Sequence, residues 1–236
     1  MYLLGIDTCG PSGSVALGRL KKSSAEPIAE IELAGRTYSA TLVSAIEELL
    51  SGQNLRLREV GCIVVVSGPG SFTGVRVGLS AAKGVAEGAG VPLVAVSRLE
   101  VLAAKAAMRS AALDAHRHEI FLRLSGPNEG ENVQEVLAGA EELGHLDPPL
   151  QLAVCDEPAA ALLQSIWPAV QQVKAAPPRA SDALALAAPS VAAGKFADVA
   201  LLDGHYLRRS DAEIFGNAPG VETTGRGRTR GGVVKP

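Results

Sequence analysis

The sequence predicts an α/β protein made of two successive units in which strands and helices are mixed. Three observations carry that expectation. Residues 62–66 are five consecutive apolar residues rich in Val and Ile, the pattern of a strand buried on both faces. Strand–turn–helix order then recurs along the chain. Finally, 236 residues that are 47% hydrophobic and 20% charged, with a mean hydropathy of +0.20, can bury a core without disulfides or metal, and this composition excludes a largely disordered chain or a charged coiled coil.

Residues 2–6 read as a short apolar strand, 9–14 as a Gly/Pro/Ser turn, 14–20 as a second strand and 28–33 as a third. They are spaced closely enough for an antiparallel meander. Residues 37–50 switch to helical spacing, with Leu42, Val43, Ile46, Leu49 and Leu50 as the apolar stripe and Gly52 as the stop. After the central strand come a Gly-rich turn at 68–74, a helix over about 75–87, a buried strand at 92–96 and a helix at 99–108. Beyond Ser110 the pattern restarts, with strands at 111–114 and 119–124, a turn over 125–130 and a helix at 131–143. A strand at 152–155, a helix at 158–166, a break at Pro177–Pro178 and an Ala-rich helix at 181–194 complete it. The expected lobes are residues 1–109 and 110–216, with no short-period repeat. A Gly-rich tail, 217–236, carries Arg226, Arg228, Arg230 and Lys235 against Glu222 and is expected to be disordered.

Three cysteines, odd in number and far apart, argue against a disulfide framework or a zinc cluster and suit a reducing compartment. Residues 1–7 hold no basic region before Asp7, and no apolar run is long enough to span a bilayer, so a cytoplasmic protein with no membrane partner is expected. A net charge of -3, with four Phe, three Tyr and one Trp, removes both the broad basic footprint and the stacking platform of a protein that grips nucleic acid unaided.

The sharpest local feature is the run from Ser67 to Arg76, placed between a buried strand and a helix. Backbone amides at such a helix start can hold an anion, although the run closes neither as a Walker loop nor as a dinucleotide fingerprint. The other reading is a tight turn capped by Ser71 or Thr73. Asp7, at the end of the first strand, is the best single carboxylate candidate, facing the crevice at the strand ends or capping the turn with Thr8. Together these give an anion- or nucleotide-proximal set of Asp7, Thr8, Gly68, Gly70, Ser71 and Thr73.

Asp114, His116 and His118 alternate and would share one strand face, with Glu119 opposite, yet neighbours on one face seldom converge on a single ion. No HExxH motif, Gly-x-Ser-x-Gly elbow or readable Cys–His pair is present, and no catalytic residue is assigned. In the helix after the Gly-rich turn, Gly74, Gly78, Ala81, Ala82 and Val85 recur at three- and four-residue intervals. Each interior glycine costs a helix on the order of 1 kcal/mol, so this smooth face must be recovering the loss through close approach of another backbone, either internal or external.

Ile6-Asp7-Thr8, the run Gly68-Pro69-Gly70-Ser71-Phe72-Thr73-Gly74-Val75-Arg76-Val77-Gly78, the strand end Val94-Ala95-Val96-Ser97, Asp114-Ala115 with Glu119, and Tyr206-Leu207-Arg208 together resemble the bacterial TsaB (YeaZ) family, in order, from Met1 to about Phe215. The resemblance implies a two-lobed actin/Hsp70-like, RNase H-type fold with mixed sheets flanked by helices. It also implies a subunit that is not an enzyme by itself. Such a subunit pairs with a TsaD-like catalytic subunit and a TsaE-like ATPase to transfer threonylcarbamoyl from threonylcarbamoyl-AMP to the adenosine next to the tRNA anticodon. ATP and a metal ion are then expected in the partner subunits and no cofactor in this chain alone, with tRNA as the substrate of the complex.

The family's homodimer and heterodimer surface falls on the two first-lobe helices. The expected interface is therefore Tyr38, Leu42 and Ile46 on one, and Gly74, Val75, Gly78, Leu79, Ala82 and Val85 on the other. Departures from the family pattern occur at Cys9-Gly10, Tyr38, Ser44 and His116. Two alternatives remain, an M22-type metal-dependent glycoprotease, for which no clustered metal motif is present, and a small ATPase of the actin-like superfold.

Overall fold

A computed structural model describes residues 1–35, 37–126 and 133–208 of the chain. The first lobe is built on β1 (Tyr2–Asp7), β2 (Gly13–Lys21), β3 (Ser24–Leu33), β4 (Val60–Val66) and β5 (Leu93–Val96), in the order β3-β2-β1-β4-β5. β1, β2 and β3 form the antiparallel meander, and β4 and β5 add in parallel to β1. Parallel addition needs crossovers, and the helices α1 (Tyr38–Ser51) and α2 (Phe72–Ala89) supply them. β4 is buried along almost its whole length, as its unbroken apolar run requires.

The second lobe repeats this topology without repeating the sequence. β6 (Ala111–Asp114), β7 (Ile120–Leu124) and β8 (Gln134–Ala138) make a meander, and β9 (Gln151–Val154) and β10 (Gln171–Lys174) add in parallel, giving β10-β9-β6-β7-β8. α4 (Ala140–Gly144) and α5 (Glu157–Ile166) lie between strands. The helix expected over 131–143 is replaced by β8 and the short α4. Leu122 pairs with Val136 and Ile120 with Ala138, and this ladder overrides the helical propensity of Glu135–Ala138. Residues 131 and 132 lie outside the described residues, as does the expected tail 217–236.

The lobes exchange helices. α3 (Arg98–Lys105) follows β5 in the chain but packs on β6, β7 and β9, with Leu99, Leu102 and Ala103 in a core shared with Leu113 and Phe121. α6 (Ala180–Ala192) follows β10 but returns to β1, β2 and β3, where Ala180, Ala183, Leu184, Ala187 and Val191 join the first core. The alanines let this helix lie close to the sheet, and Ser14 Oγ accepts a 2.8 Å hydrogen bond from Ala180 N. The boundary near Ser110 thus separates the sheets but not the cores. The carboxyl ends of β1, β4, β6 and β9 face each other across a cleft between the lobes.

Candidate functional site, the interlobe cleft

The cleft, about 1030 Å³, is bordered by the β1–β2 turn (Cys9, Gly10, Pro11), the turn before α2, Arg98, the β6–β7 turn, Asp156, and the segment His205–Arg208. Ligands of α/β sheets bind at such strand ends. Asp7, at the end of β1, is buried behind the cleft wall. Its Oδ1 accepts a 2.8 Å hydrogen bond from Cys9 N, capping the turn, while Oδ2 lies 3.7 Å from Arg98 Nε. The carboxylate therefore caps its own turn and also faces a cation. Burial pushes the Asp7 carboxyl up, with Arg98 and the bonds at Cys9 opposing. The Cys9 thiol is pushed well up by burial, and Tyr38, whose hydroxyl donates to Gly10 O at 2.8 Å, is raised to about 12 by burial and by Asp7.

The Gly-rich turn receives the protein's own backbone. Ser71 caps α2, its Oγ accepting from Gly74 N, as one of the two sequence readings has it. Ser71 N donates to Cys9 O at 2.8 Å, and Thr8 Oγ1 donates to Gly74 O at 2.6 Å. A Cβ on Gly70 would collide with the Cys9 carbonyl, one on Gly74 with the Thr8 carbonyl, and one on Gly78 with Thr8 Oγ1. The end of β1 therefore runs directly over the start of α2.

This corrects the expected partner interface. Gly74, Val75, Gly78, Leu79 and Ala82 are buried in the first lobe, and so are Tyr38, Leu42 and Ile46 on α1; among the expected residues only Val85 is partly exposed. The spacing located the face correctly, but what the face touches is β1 and β4 of the same lobe. The exposed side of α2 carries Thr73, Gly84 and Gly88 instead, with Val77 and Ala81 half-buried beside them against the first core, and at Gly84 and Gly88 a Cβ would meet nothing within 4 Å. Val43 of α1, expected in its apolar stripe, is 60% exposed.

The histidine expectation is corrected too. β6 ends at Asp114, and His116, Arg117 and His118 all take left-handed conformations, with φ of 61°, 57° and 62°. Alternation along a strand does not apply to them. His116 Nδ1 lies 2.9 Å from Asp114 Oδ2, and Arg208 pairs with Glu119. Among the described residues no three His, Cys, Asp or Glu side chains gather around a common point.

Two groups escaped the sequence reading. Arg98, the first residue of α3, is buried beside Asp7. A cation directly after a buried strand and at helical spacing from Leu102 was the signal for it. Glu135 of β8 sits at a junction, taking bonds from Ser97 Oγ (2.7 Å) and Arg123 Nη1 (2.7 Å) and lying 2.7 Å from His205 Nε2. Burial works against its charge, but the bonds from His205, Ser97 and Arg123 outweigh burial and hold its carboxyl below the usual range. It ties the segment before Tyr206 to both lobes, and nothing in its sequence neighbourhood announced that.

A family model described as TsaD, tRNA N6-adenosine threonylcarbamoyltransferase, matches residues 31–195. Among curated proteins, the chain is 38% identical over 127 residues to the tRNA threonylcarbamoyladenosine biosynthesis protein TsaB of Haemophilus influenzae, covering 51% of this chain and 52% of that one. It is 32% identical over 127 residues to the TsaB of Escherichia coli, covering 51% and 53%. It is also 42% identical over 86 residues to a tRNA N6-adenosine threonylcarbamoyltransferase of Rhizobium leguminosarum, covering 36% and 24%. The chain spans about half the length of the curated TsaB relatives it matches. Among solved structures, a Pseudomonas aeruginosa protein described as similar to peptidase YEAZ superposes with a TM-score of 0.72 at 26% identity, over 88% of this chain and 99% of that one. YeaZ from Pseudomonas aeruginosa, at 24% identity and a TM-score of 0.70, shows the same fold over 87% and 99%. The two-lobed mixed α/β architecture and the TsaB (YeaZ) resemblance read in the sequence both stand. No helix among the described residues is long and apolar enough to cross a membrane.

Proposed function

The chain belongs to the tRNA N6-adenosine threonylcarbamoyltransferase (TsaD) family, and from that membership we propose that it is a partner subunit in the synthesis of threonylcarbamoyladenosine in tRNA. The observation that carries this reading is the likeness, at 32–38% identity, to three proteins named for that biosynthesis as TsaB. In this reading the chain is not a catalyst alone. It pairs in the cytoplasm with a TsaD-like subunit and a TsaE-like ATPase, tRNA is the substrate of the assembly, and the reaction's ATP and metal ion belong to those partners. A homodimer uses the same surface in the absence of the partner.

The surface proposed is the exposed side of α1 and α2, with Val43, Gly84 and Gly88. Gly84 costs α2 on the order of 1 kcal/mol and meets no neighbour in the monomer, which suits close approach by a second chain. The test is reconstitution. A TsaD-type transferase, a TsaE-type ATPase, a threonylcarbamoyl-AMP source and tRNA are combined with and without this chain, and the modified nucleoside is measured by mass spectrometry. Modification that depends on the chain is expected. Modification by this chain unaided, or a mixture indifferent to it, would overturn the reading.

A further inference from the structure

We propose that the segment Leu202–Arg208 is a releasable clasp that holds the two lobes at a fixed opening and closes one side of the cleft, with Glu135 as its catch. The segment has no regular secondary structure, yet it borders the cleft and two outer hollows at once. Tyr206, Leu207 and Arg208 stand between the cleft and a hollow of about 600 Å³ beside α2. His205 stands between the cleft and a second hollow, of about 520 Å³, bordered by Ser67, Ser97 and Arg123. Release of this one segment opens the cleft to both.

Its side chains reach into both lobes. Leu202 and Tyr206 pack on the core of the first lobe, and Leu207 packs on the core that α3 shares with β6 and β7. Tyr206 stacks on Phe72 at the start of α2, with ring centroids 4.4 Å apart, and the Arg76 guanidinium lies over the Phe72 ring at 4.3 Å. Arg208 pairs with Glu119 of the β6–β7 turn. His205 Nε2 lies 2.7 Å from Glu135 Oε2, and the same carboxylate accepts from Ser97, just after β5, and from Arg123 of β7. One buried carboxylate therefore joins the segment, the crossing from β5 to α3, and the second sheet. Out of water, such a charge depends on every bond it receives, so loss of the His205 contact weakens the whole junction.

Two glycines let the segment lie close. A Cβ on Gly68, whose φ is +115°, would press on the His205 carbonyl, and one on Gly204 would collide with the Tyr206 ring. The backbone, in contrast, is barely tied. Among the described residues, the 2.8 Å bond from His205 N to Ser67 O is the one backbone–backbone hydrogen bond joining residues 203–208 to another part of the chain. Side chains carry the rest of the attachment, and a segment held in that way opens at a lower free energy than a strand fixed in a ladder. The covalent crossings between the lobes lie ahead of α3 and ahead of α6, so the lobes stay joined when the clasp lets go. This inference concerns the chain alone and does not rest on the partner-subunit reading.

The experiment compares amide hydrogen exchange, read by mass spectrometry, in the full wild-type chain and in His205→Ala. Exchange over residues 202–208 should quicken about tenfold or more, because a hydrogen bond to a charged partner is lost. The two turns that border the cleft, residues 69–74 and the β6–β7 turn, should quicken with it, while β4 in the first core keeps its wild-type rate. If β4 quickens as well, the variant has loosened the whole fold, and Arg208→Gln, which breaks only the pair with Glu119, is read in the same way. Unchanged exchange over residues 202–208 would overturn the proposal. So would faster exchange there with both cleft turns unaffected, since the segment would then be a loose end that restrains nothing.

Discussion

Two pairs of glycines on one helix answer to opposite causes. Gly74 and Gly78, in the first turns of α2, leave room for Thr8, whose carbonyl and hydroxyl oxygens occupy the places where their side chains would begin. Gly84 and Gly88, on the same helix, face open space. Interior glycine costs a helix about as much in either place. At the first pair the cost is recovered inside the lobe, by the hydrogen bond from Thr8 Oγ1 to Gly74 O and by close packing of α2 on β1. At the second pair the monomer recovers nothing. Identical residue type and near-identical spacing thus mark a sealed contact at one end and an unused surface at the other.

The largest effect is expected at Gly74. Gly74→Val drives a side chain into the Thr8 carbonyl, which is backbone and cannot rotate away, so the variant should lose about 3 kcal/mol and melt roughly 10 °C lower. A thermal melt within about 2 °C of the wild type would mean that α2 and β1 are not pressed together as described. Gly78 sharpens the point, because the atom in its way belongs to a side chain. Gly78→Ala should cost about 1–2 kcal/mol, by turning Thr8 Oγ1 off its hydrogen bond to Gly74 O. In a background already carrying Thr8→Ala the same change should cost much less. Urea melts of the four proteins give the coupling directly, and additive costs would show that Thr8 is not the obstacle.

Most of the framework could be read from the sequence because it follows from periodicity. The unbroken apolar run of β4, the alternation of β2 and the helical stripe of α1 each predicted their elements to within a few residues. β8 and β10 were lost for a common reason. Gln134–Ala138 and Gln171–Lys174 are short and half polar, and they become strands only because a neighbouring strand offers a ladder. The cleft was legible in part: Asp7 and the Ser71 cap were identified, but Arg98 was not, since its partnership with Asp7 spans two elements far apart in sequence. The misplaced interface has a further cause. A small-residue face reports that something comes close, and only the three-dimensional path of β1 says that the visitor is Thr8.

The open pair supplies the smaller effects. Gly84→Ala places a methyl in empty space and removes the entropic cost of glycine, so it should raise stability by about 0.5–1 kcal/mol, seen as a melting temperature about 1–4 °C higher. Loss of stability instead would show that the outward side of α2 is already covered in the free protein. Gly84→Arg should keep the fold at least as stable as the wild type, because arginine is nearly as good a helix former as alanine and an exposed helix position tolerates a long charged side chain. An intact fold makes it informative about association. If a TsaD-like chain approaches over Gly84, the arginine should weaken their binding about tenfold or more, measured by interferometry, while the melting temperature does not fall. Undiminished binding without a lower melting temperature would place the partner elsewhere and leave Gly84 without a recovered cost. The comparison between the two glycine pairs would then lose its second half, since the outer pair would mark no contact at all.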